Sequence, residues 1–551
     1  MDIETIRADV LVVGGGLAGT RAALEARASG ATVAMVLKGK LGTSGNSPLA
    51  GGGFNAALRL ADRADSAEAH FADTMAGGGN VNNAALVRVM AEQAPSAILE
   101  LHKMGVVFAM NGDQIAQYQA PAATHKRAIR TAGGGSFKMM AVLADAVKRE
   151  DVRVVEDTIL LDLALRDNAV VGAIGYAPDR DSLLIFQAPA VVLASGGAGH
   201  LFPLTSNSPE ITGDGYAMAY RAGAKLADME FVQFTPTALA WPPQLRGESA
   251  GGSLLGQDGA RLLNRLGERF MTKYDPERME RSTRAITSRA MFREIVEGRG
   301  TEHGAVYLDV TQVDPTALEN ISGPQMRKLA GHGLDLLKEP IELAPAVHHY
   351  MGGVVIDTHC AASIPGLFAA GEAAAGVHGG NRLNSNALAE AAVFGKIAGA
   401  EAAAYARGSK GSAVSAGQRE AARAAVQAMT GAGPAPEPLI EKLRTTMLAG
   451  AGLERKARAM EAALTDLAAT RAEAEGAGAK DPASVVRLVE LRNMLQVGEI
   501  ALRAARMRTE SRGAHFRSDY PAQNDADWLA NIVATRGEAG PKLEVVQIRG
   551  E

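Results

Sequence analysis

The chain has 551 residues, 47% hydrophobic and 21% charged, with a formal net charge of -4 and a pI near 6.3. That length exceeds one ordinary domain and implies two or three, each able to bury a core. The balance lacks the basic footprint of a nucleic-acid binder, and the single cysteine, Cys360, excludes an internal disulfide and the multi-thiolate ligation that iron–sulfur clusters usually need.

The opening residues, MDIETIRADVLVVGGG, lack the basic start, apolar core and cleavage site of a signal peptide, and no apolar run reaches the roughly 20 residues of a membrane span. A cytoplasmic protein without direct membrane insertion is expected. Residues 9–13 are a short apolar run, followed by GGGLAG and an Ala- and Leu-rich stretch at helical spacing; ATVAMVL at 31–37 then completes a βαβ unit. Glycines cluster again in LAGGGFNAAL and RTAGGGSF, while VRVVED and APAVVLASGGAG have strand character. From 231 to about 340 the pattern is irregular and rich in Arg, Gly and Pro, as in an inserted domain, and glycine-punctuated elements resume at HHYMGGVVID. Ala, Gly, Ser and Pro dominate 408–437, which reads as a linker, and three periodic stretches beyond it predict a helical C-terminal domain and tail over 438–551.

Gly14, Gly16 and Gly19 have the spacing of a dinucleotide fingerprint: a tight turn, close backbone approach to a pyrophosphate, and close helix packing. A ligand-free glycine turn is the competing reading. No acid ends the second strand, where Leu37 and Lys38 stand, so a simple NAD site is disfavoured. A second strand ends in Gly371 and Glu372, and a glycine turn leads to Ser385 and a small-residue helix. Two separated nucleotide sites suit one large cofactor.

In this order the motifs GGGLAG, NSPLAGGGFNAAL, ASGGAG, TGDG, MEFVQFTPT, LLNRLGERFM, STRAITSRA, HHYMGG, HGGNRLNSNALAEA and ESRGAHFRSDYP run nearly end to end. Together they resemble the flavoprotein family of succinate dehydrogenase, fumarate reductase and L-aspartate oxidase. The resemblance implies an α/β fold: a Rossmann-like FAD-binding domain in two parts (1–230 and 341–407), an α+β capping domain at 231–340 and the helical C-terminal domain. It assigns to FAD the glycines Gly14, Gly16, Gly19, Gly52, Gly53 and Gly196, with Lys38, Ser195, Asp214, Glu372 and Ser385. Asn46 occupies the place of the histidine that attaches FAD covalently in some members, so FAD is expected to be noncovalent. No metal site is expected, and any iron–sulfur or other electron-accepting group would belong to another chain.

For chemistry the resemblance places His348 and Arg382 around a substrate carboxylate, which an Arg fork suits geometrically. Arg284, with Arg289 as the alternative, takes the place of the capping-domain arginine that handles the proton. Two departures stand out. Thr235 replaces the histidine of QFHPT, which binds the distal carboxylate, and the shortened WPPQLRGESAGG puts Arg246 at a substrate-binding arginine and Pro243 at a relay acid. The leading expectation is hydride transfer between flavin and a carbon next to a carboxylate, in an acid other than plain succinate or fumarate. An aspartate-oxidase-like amino-acid oxidase is the alternative, and an electron-transfer subunit without its own chemistry is the third reading.

Overall fold

Val10–Val13 is apolar at every position because a parallel sheet covered on both faces exposes neither side of its central strand. The computed structural model describes residues 1–548 except 121, 134, 252, 253, 410 and 412, with only the backbone of 320, 321 and 324. In it this strand centres a five-stranded parallel sheet in the order Leu367–Ala369, Ala190–Leu193, Val10–Val13, Val33–Val36, Arg153–Val155. The chain leaves Val10–Val13 toward one edge and returns on its other side at Ala190–Leu193. The carboxyl ends of these two strands therefore form a topological switch point, where open α/β sheets bind ligands.

Small residues set the next layer. Helix Asn386–Gly408 crosses Leu17–Ala28 so closely that a methyl group on Gly395 would lie 2.5 Å from Ala18 O, and one on Gly399 2.2 Å from Ala22 O. This contact brings the second glycine-rich motif onto the first, 370 residues away in sequence. A separate four-stranded sheet, Asp2–Arg7, Ser182–Gln187, Ala169–Ala177 and Ile159–Arg166, flanks this core.

A third sheet is antiparallel throughout: Val232–Leu239, Ile341–Tyr350, Val306–Asp309 and Arg261–Leu263. It has its own hydrophobic cluster around Leu262, Phe270, Met291, Leu308 and Leu343. The composition change expected near 340 falls at the first residue of Ile341–Tyr350, a strand paired within this sheet.

Helices Pro436–Ala451, Ala457–Glu475 and Pro482–Met507 pack on one another through Met447, Leu467 and Ile500. Two features depart from the sequence reading. The stretch 408–437 holds a helix, Ala416–Met429, started by a capping box in which Ser415 and Gln418 satisfy each other's backbone amides. The tail forms a hairpin, Ala530–Gly537 with Gly540–Gln547, whose first strand pairs with Leu226–Ala227. The end of the chain is thereby tied to its first half.

Candidate functional site

The glycine turn after Val10–Val13 is locked by backbone proximity. Gly14 has φ +105°, and a methyl group there would stand 2.3 Å from Ala194 O; one on Gly19 would stand 2.0 Å from Gly14 O. No side chain caps helix Leu17–Ala28 at Gly16, so part of its first turn of amides is open to an anion, while Leu17 N donates to Ser47 Oγ at 2.9 Å. Ser195 and Gly196 come from the neighbouring strand end, and Ser195 Oγ is buried without a partner among the described residues. A buried hydroxyl without a partner beside a bare helix N-terminus fits a polar ligand such as a dinucleotide.

Lys38 and Asp214 are neutralised within the protein. Lys38 Nζ contacts Thr212 Oγ1 at 2.6 Å, Asp214 at 2.8 Å and Glu490 at 2.7 Å. Burial disfavours the ammonium, but Asp214 and Glu490 outweigh it and hold the lysine above its ordinary pKa. Asn493 donates to Asp214 at 2.8 Å. Glu490 and Asn493 belong to Pro482–Met507, and sequence reasoning missed both because nothing local distinguishes them from other polar helix residues.

Glu372 follows Gly371, whose φ is +67°. Its carboxylate accepts from Tyr350 N at 3.0 Å and from Asn46 Nδ2 at 3.2 Å, and burial pushes its pKa up to about 7. Asn46 Oδ1 accepts from Ser208 N at 2.9 Å, so this amide is fixed at both ends. Gly52 and Gly53 lie against Thr131 and Ser385: added methyl groups would fall 2.0 Å from Thr131 Oγ1 and 2.7 Å from Ser385 Oγ. Ser385, at φ +69°, opens helix Asn386–Gly408 with no side-chain cap, a second bare N-terminus beside Gly53. Open backbone beside Gly51, two uncapped helix ends and the orphaned Ser195 hydroxyl form a cradle that fits an extended dinucleotide.

Strand Val232–Leu239 meets Ile341–Tyr350. Gln233 pairs with His349 and Phe234 with Val347, which leaves His348 as the extra residue of a bulge. Bulges re-aim side chains beside functional sites; here His348 Nδ1 meets Ser206 Oγ at 2.8 Å. Burial, then the charges of Arg382 and Arg284, hold His348 well below the usual histidine pKa, so its imidazole is neutral. Arg382 is 7% exposed and donates to Gln233 Oε1 at 3.1 Å and Leu383 O at 3.3 Å, while its Nε has no partner among the described residues. Burial and the nearby Arg284 pull its pKa down to about 9. Gln233 in turn donates to Asn381 and to Arg382 O, at 2.7 and 3.0 Å.

Arg284 begins helix Arg284–Glu294 and lines a cleft with Gln233, Arg289, Asn381, Leu453 and Ala514. It makes no hydrogen bond or ion pair among the described residues, and burial lowers its pKa. Arg289 lies over the Phe516 ring at 4.5 Å. Thr235 is buried, with its hydroxyl 3.0 Å from that of Thr237. Arg246 departs from expectation: it is exposed, and its guanidinium donates to Ala240 O at 3.3 Å. It follows the short helix Pro243–Leu245. Gln233 and Ser206 were missed; the bulge that makes them neighbours of Arg382 and His348 leaves no local signature.

Comparison with known proteins agrees with this geometry. Residues 9–388 match the family described as FAD binding domain, and 440–550 match the fumarate reductase flavoprotein C-term. The chain is 36% identical to one subunit of the fumarate reductase (CoM/CoB) of Methanothermobacter marburgensis, over 97% of this chain and 98% of that protein. It is 34% identical to L-aspartate oxidase of Streptomyces coelicolor, over 96% and 91%. Mycobacterium smegmatis Sdh1, solved in complex with UQ1, superposes with a TM-score of 0.91 at 34% identity, covering 100% of this chain and 95% of that one. The protein therefore binds FAD and belongs to the succinate dehydrogenase, fumarate reductase and L-aspartate oxidase flavoprotein family, as an FAD-dependent oxidoreductase of the fumarate reductase/succinate dehydrogenase type.

Proposed function

We propose that the chain reduces or oxidises the carbon–carbon bond next to the carboxylate of a small organic acid, with Arg382 and His348 holding the carboxylate and Arg284 handling the proton. The observation that carries this reading is unpaired positive charge. The charge of Arg284 helps pull the pKa of Arg382 down, yet neither has a carboxylate in contact among the described residues. Buried charges are ordinarily paired, because an unpaired one costs several kcal/mol; a substrate carboxylate supplies the missing partner.

FAD when bound supplies hydride acceptance and donation. The protein's part is positional. The Arg382 fork and the neutral His348 donor fix the acid, which turns a bimolecular encounter into an oriented one. Arg284, across the cleft, stabilises enolate-like charge and exchanges the proton. Thr235 presents a hydroxyl where a second cation would grip a distal carboxylate, which favours an acid with a less charged distal end. Asn46, an amide with both ends engaged, offers no nucleophile, which supports noncovalent FAD.

We assign 1–230 and 341–407 to cofactor binding, 231–340 to the cap and 438–551 to the C-terminal domain, joined through 408–437; Ile341–Tyr350 serves both of the first two. The other redox group is assigned to a separate chain, since Cys360 is buried and is the sole thiol. No helix among the described residues is long and apolar enough to cross a membrane, and we place the protein in the cytoplasm. The test is anaerobic flavin reduction and reoxidation with a panel of mono- and dicarboxylates, with ammonia detection to reveal an amino-acid oxidase. Rapid turnover of succinate and fumarate with every other acid inert would refute the reading of Thr235, and a flavin that no acid perturbs would refute the carboxylate site.

A further inference from the structure

Reduction of a carbon–carbon double bond adds a hydride to one carbon and a proton to its neighbour. Whatever group gives that proton must recover one from water in each turnover. Arg284 touches no acid among the described residues that could return it, and Arg246 and Pro243, at the places of a relay, are exposed and are not among the residues that line the cleft. A different set of exchangeable hydrogens lies along Val232–Leu239, the strand that packs on helix Arg284–Glu294, and reaches the surface. Thr235 Oγ1 and Thr237 Oγ1 are 3.0 Å apart, and Thr237 Oγ1 and Ser249 Oγ are 3.4 Å apart. Thr235 and Thr237 are 4% and 3% exposed, whereas Ser249 is solvent-exposed.

The backbone holds this row in place. Thr235 and Thr237 follow Gln233 along Val232–Leu239; Gln233 donates to Arg382 O and lines the cleft with Arg284, and the register against Ile341–Tyr350 slips between Thr235 and Ala238, with the two threonine hydroxyls in contact. The returning segment is fastened alongside, with Ala250 N on Thr237 O at 2.8 Å and Leu239 N on Glu248 O at 2.8 Å, which sets Ser249 opposite Ala238. Each hydroxyl is both donor and acceptor, so a proton entering at one end is passed on by rotation without any member becoming charged for long. The 3.4 Å step exceeds the ordinary O–H···O range and closes with a small side-chain rotation.

We propose that Thr235, Thr237 and Ser249 form a proton path from the surface to the Arg284 side of the substrate cleft. This rests on the reaction proposed above, with Thr237 as a positioning residue in the path and not a substrate contact. The test is single-turnover reoxidation of the photoreduced holoenzyme, run in H2O and D2O, with fumarate, its monoamide and crotonate as oxidants. Thr237→Val keeps the shape and removes the hydroxyl. It is expected to slow reoxidation about 10-fold or more and to enlarge the solvent isotope effect, with the acid's affinity unchanged. Thr237→Ser is expected to restore both rate and isotope effect, which a purely structural role would not require. Flavin occupancy checks folding, and Thr237→Ala takes the place of the valine variant if that variant loses FAD. A wild-type rate and isotope effect in the valine or alanine variant overturns the path alone. Should none of the three acids oxidise the wild-type flavin, the proposed reaction falls and the path with it.

Discussion

Replacing Gly19 by alanine tests whether the first glycine turn carries cofactor affinity. Built on the backbone, the new methyl carbon lies 2.0 Å from Gly14 O and 2.9 Å from Gly14 C. A carbon and a carbonyl oxygen normally stand about 3.3 Å apart, so helix Leu17–Ala28 and the turn must separate by roughly 1.3 Å at that point. Both atoms at Gly14 are main chain, so no side-chain rotation relieves the clash. Overpacking of this kind costs about 1–3 kcal/mol. If the turn absorbs that strain, FAD affinity falls by about 5- to 150-fold, since 1.4 kcal/mol is tenfold. Gly30→Ala is the control: its φ is +85°, which strains any substitution, but beyond its chain neighbours no atom of the described residues lies within 4 Å of the added methyl, and it sits past the far end of the same helix. The assay is FAD titration of the apoprotein by flavin fluorescence, with thermal midpoints of both apo variants. An unchanged FAD affinity in folded Gly19→Ala, or an equal loss in Gly30→Ala, would refute the argument.

Arg382→Lys is expected to impair binding or turnover severely, because an ammonium cannot reproduce the fork that reaches Gln233 and a carboxylate together; normal steady-state kinetics with every reactive acid would count against the clamp. Since His348 is neutral and Arg382 is drawn down to about 9, KM should stay flat across the usual histidine range and rise above about pH 9. Arg284→Lys should slow the proton-coupled step while FAD occupancy is retained, which stopped-flow reoxidation and an absorbance spectrum separate. Acid precipitation should release intact FAD into the supernatant, and yellow pellets would contradict the role given to Asn46. Glu372 binds its proton more tightly folded than unfolded, so wild-type apoprotein should lose stability, relative to Glu372→Gln, as pH rises from about 4.5 to about 7; parallel melting profiles for the two proteins across that window would refute this.

Sequence alone determined the elements whose cause is short-range. Val10–Val13 is a buried strand because all four residues are apolar, and Gly14 and Gly19 define a turn because no side chain fits there. Arg284, His348 and Arg382 were legible as a set only through ordered motifs, since 98 residues separate Arg284 from Arg382. Tertiary structure decided what depends on pairing between distant segments. The bulge that isolates His348 exists only once two strands are in register, and Gln233 meets Arg382 across 149 residues. Glu490 reaches Lys38 because three helices dock on the nucleotide-binding core, which gives an ordinary polar helix residue a buried cation to pair with. Arg246 shows the converse: its motif put it in the site, but the shortened segment turns through Pro243–Leu245 and leaves it in solvent. Motif order constrains which residues a site draws on, whereas the direction of each side chain is set by the backbone that the rest of the fold imposes.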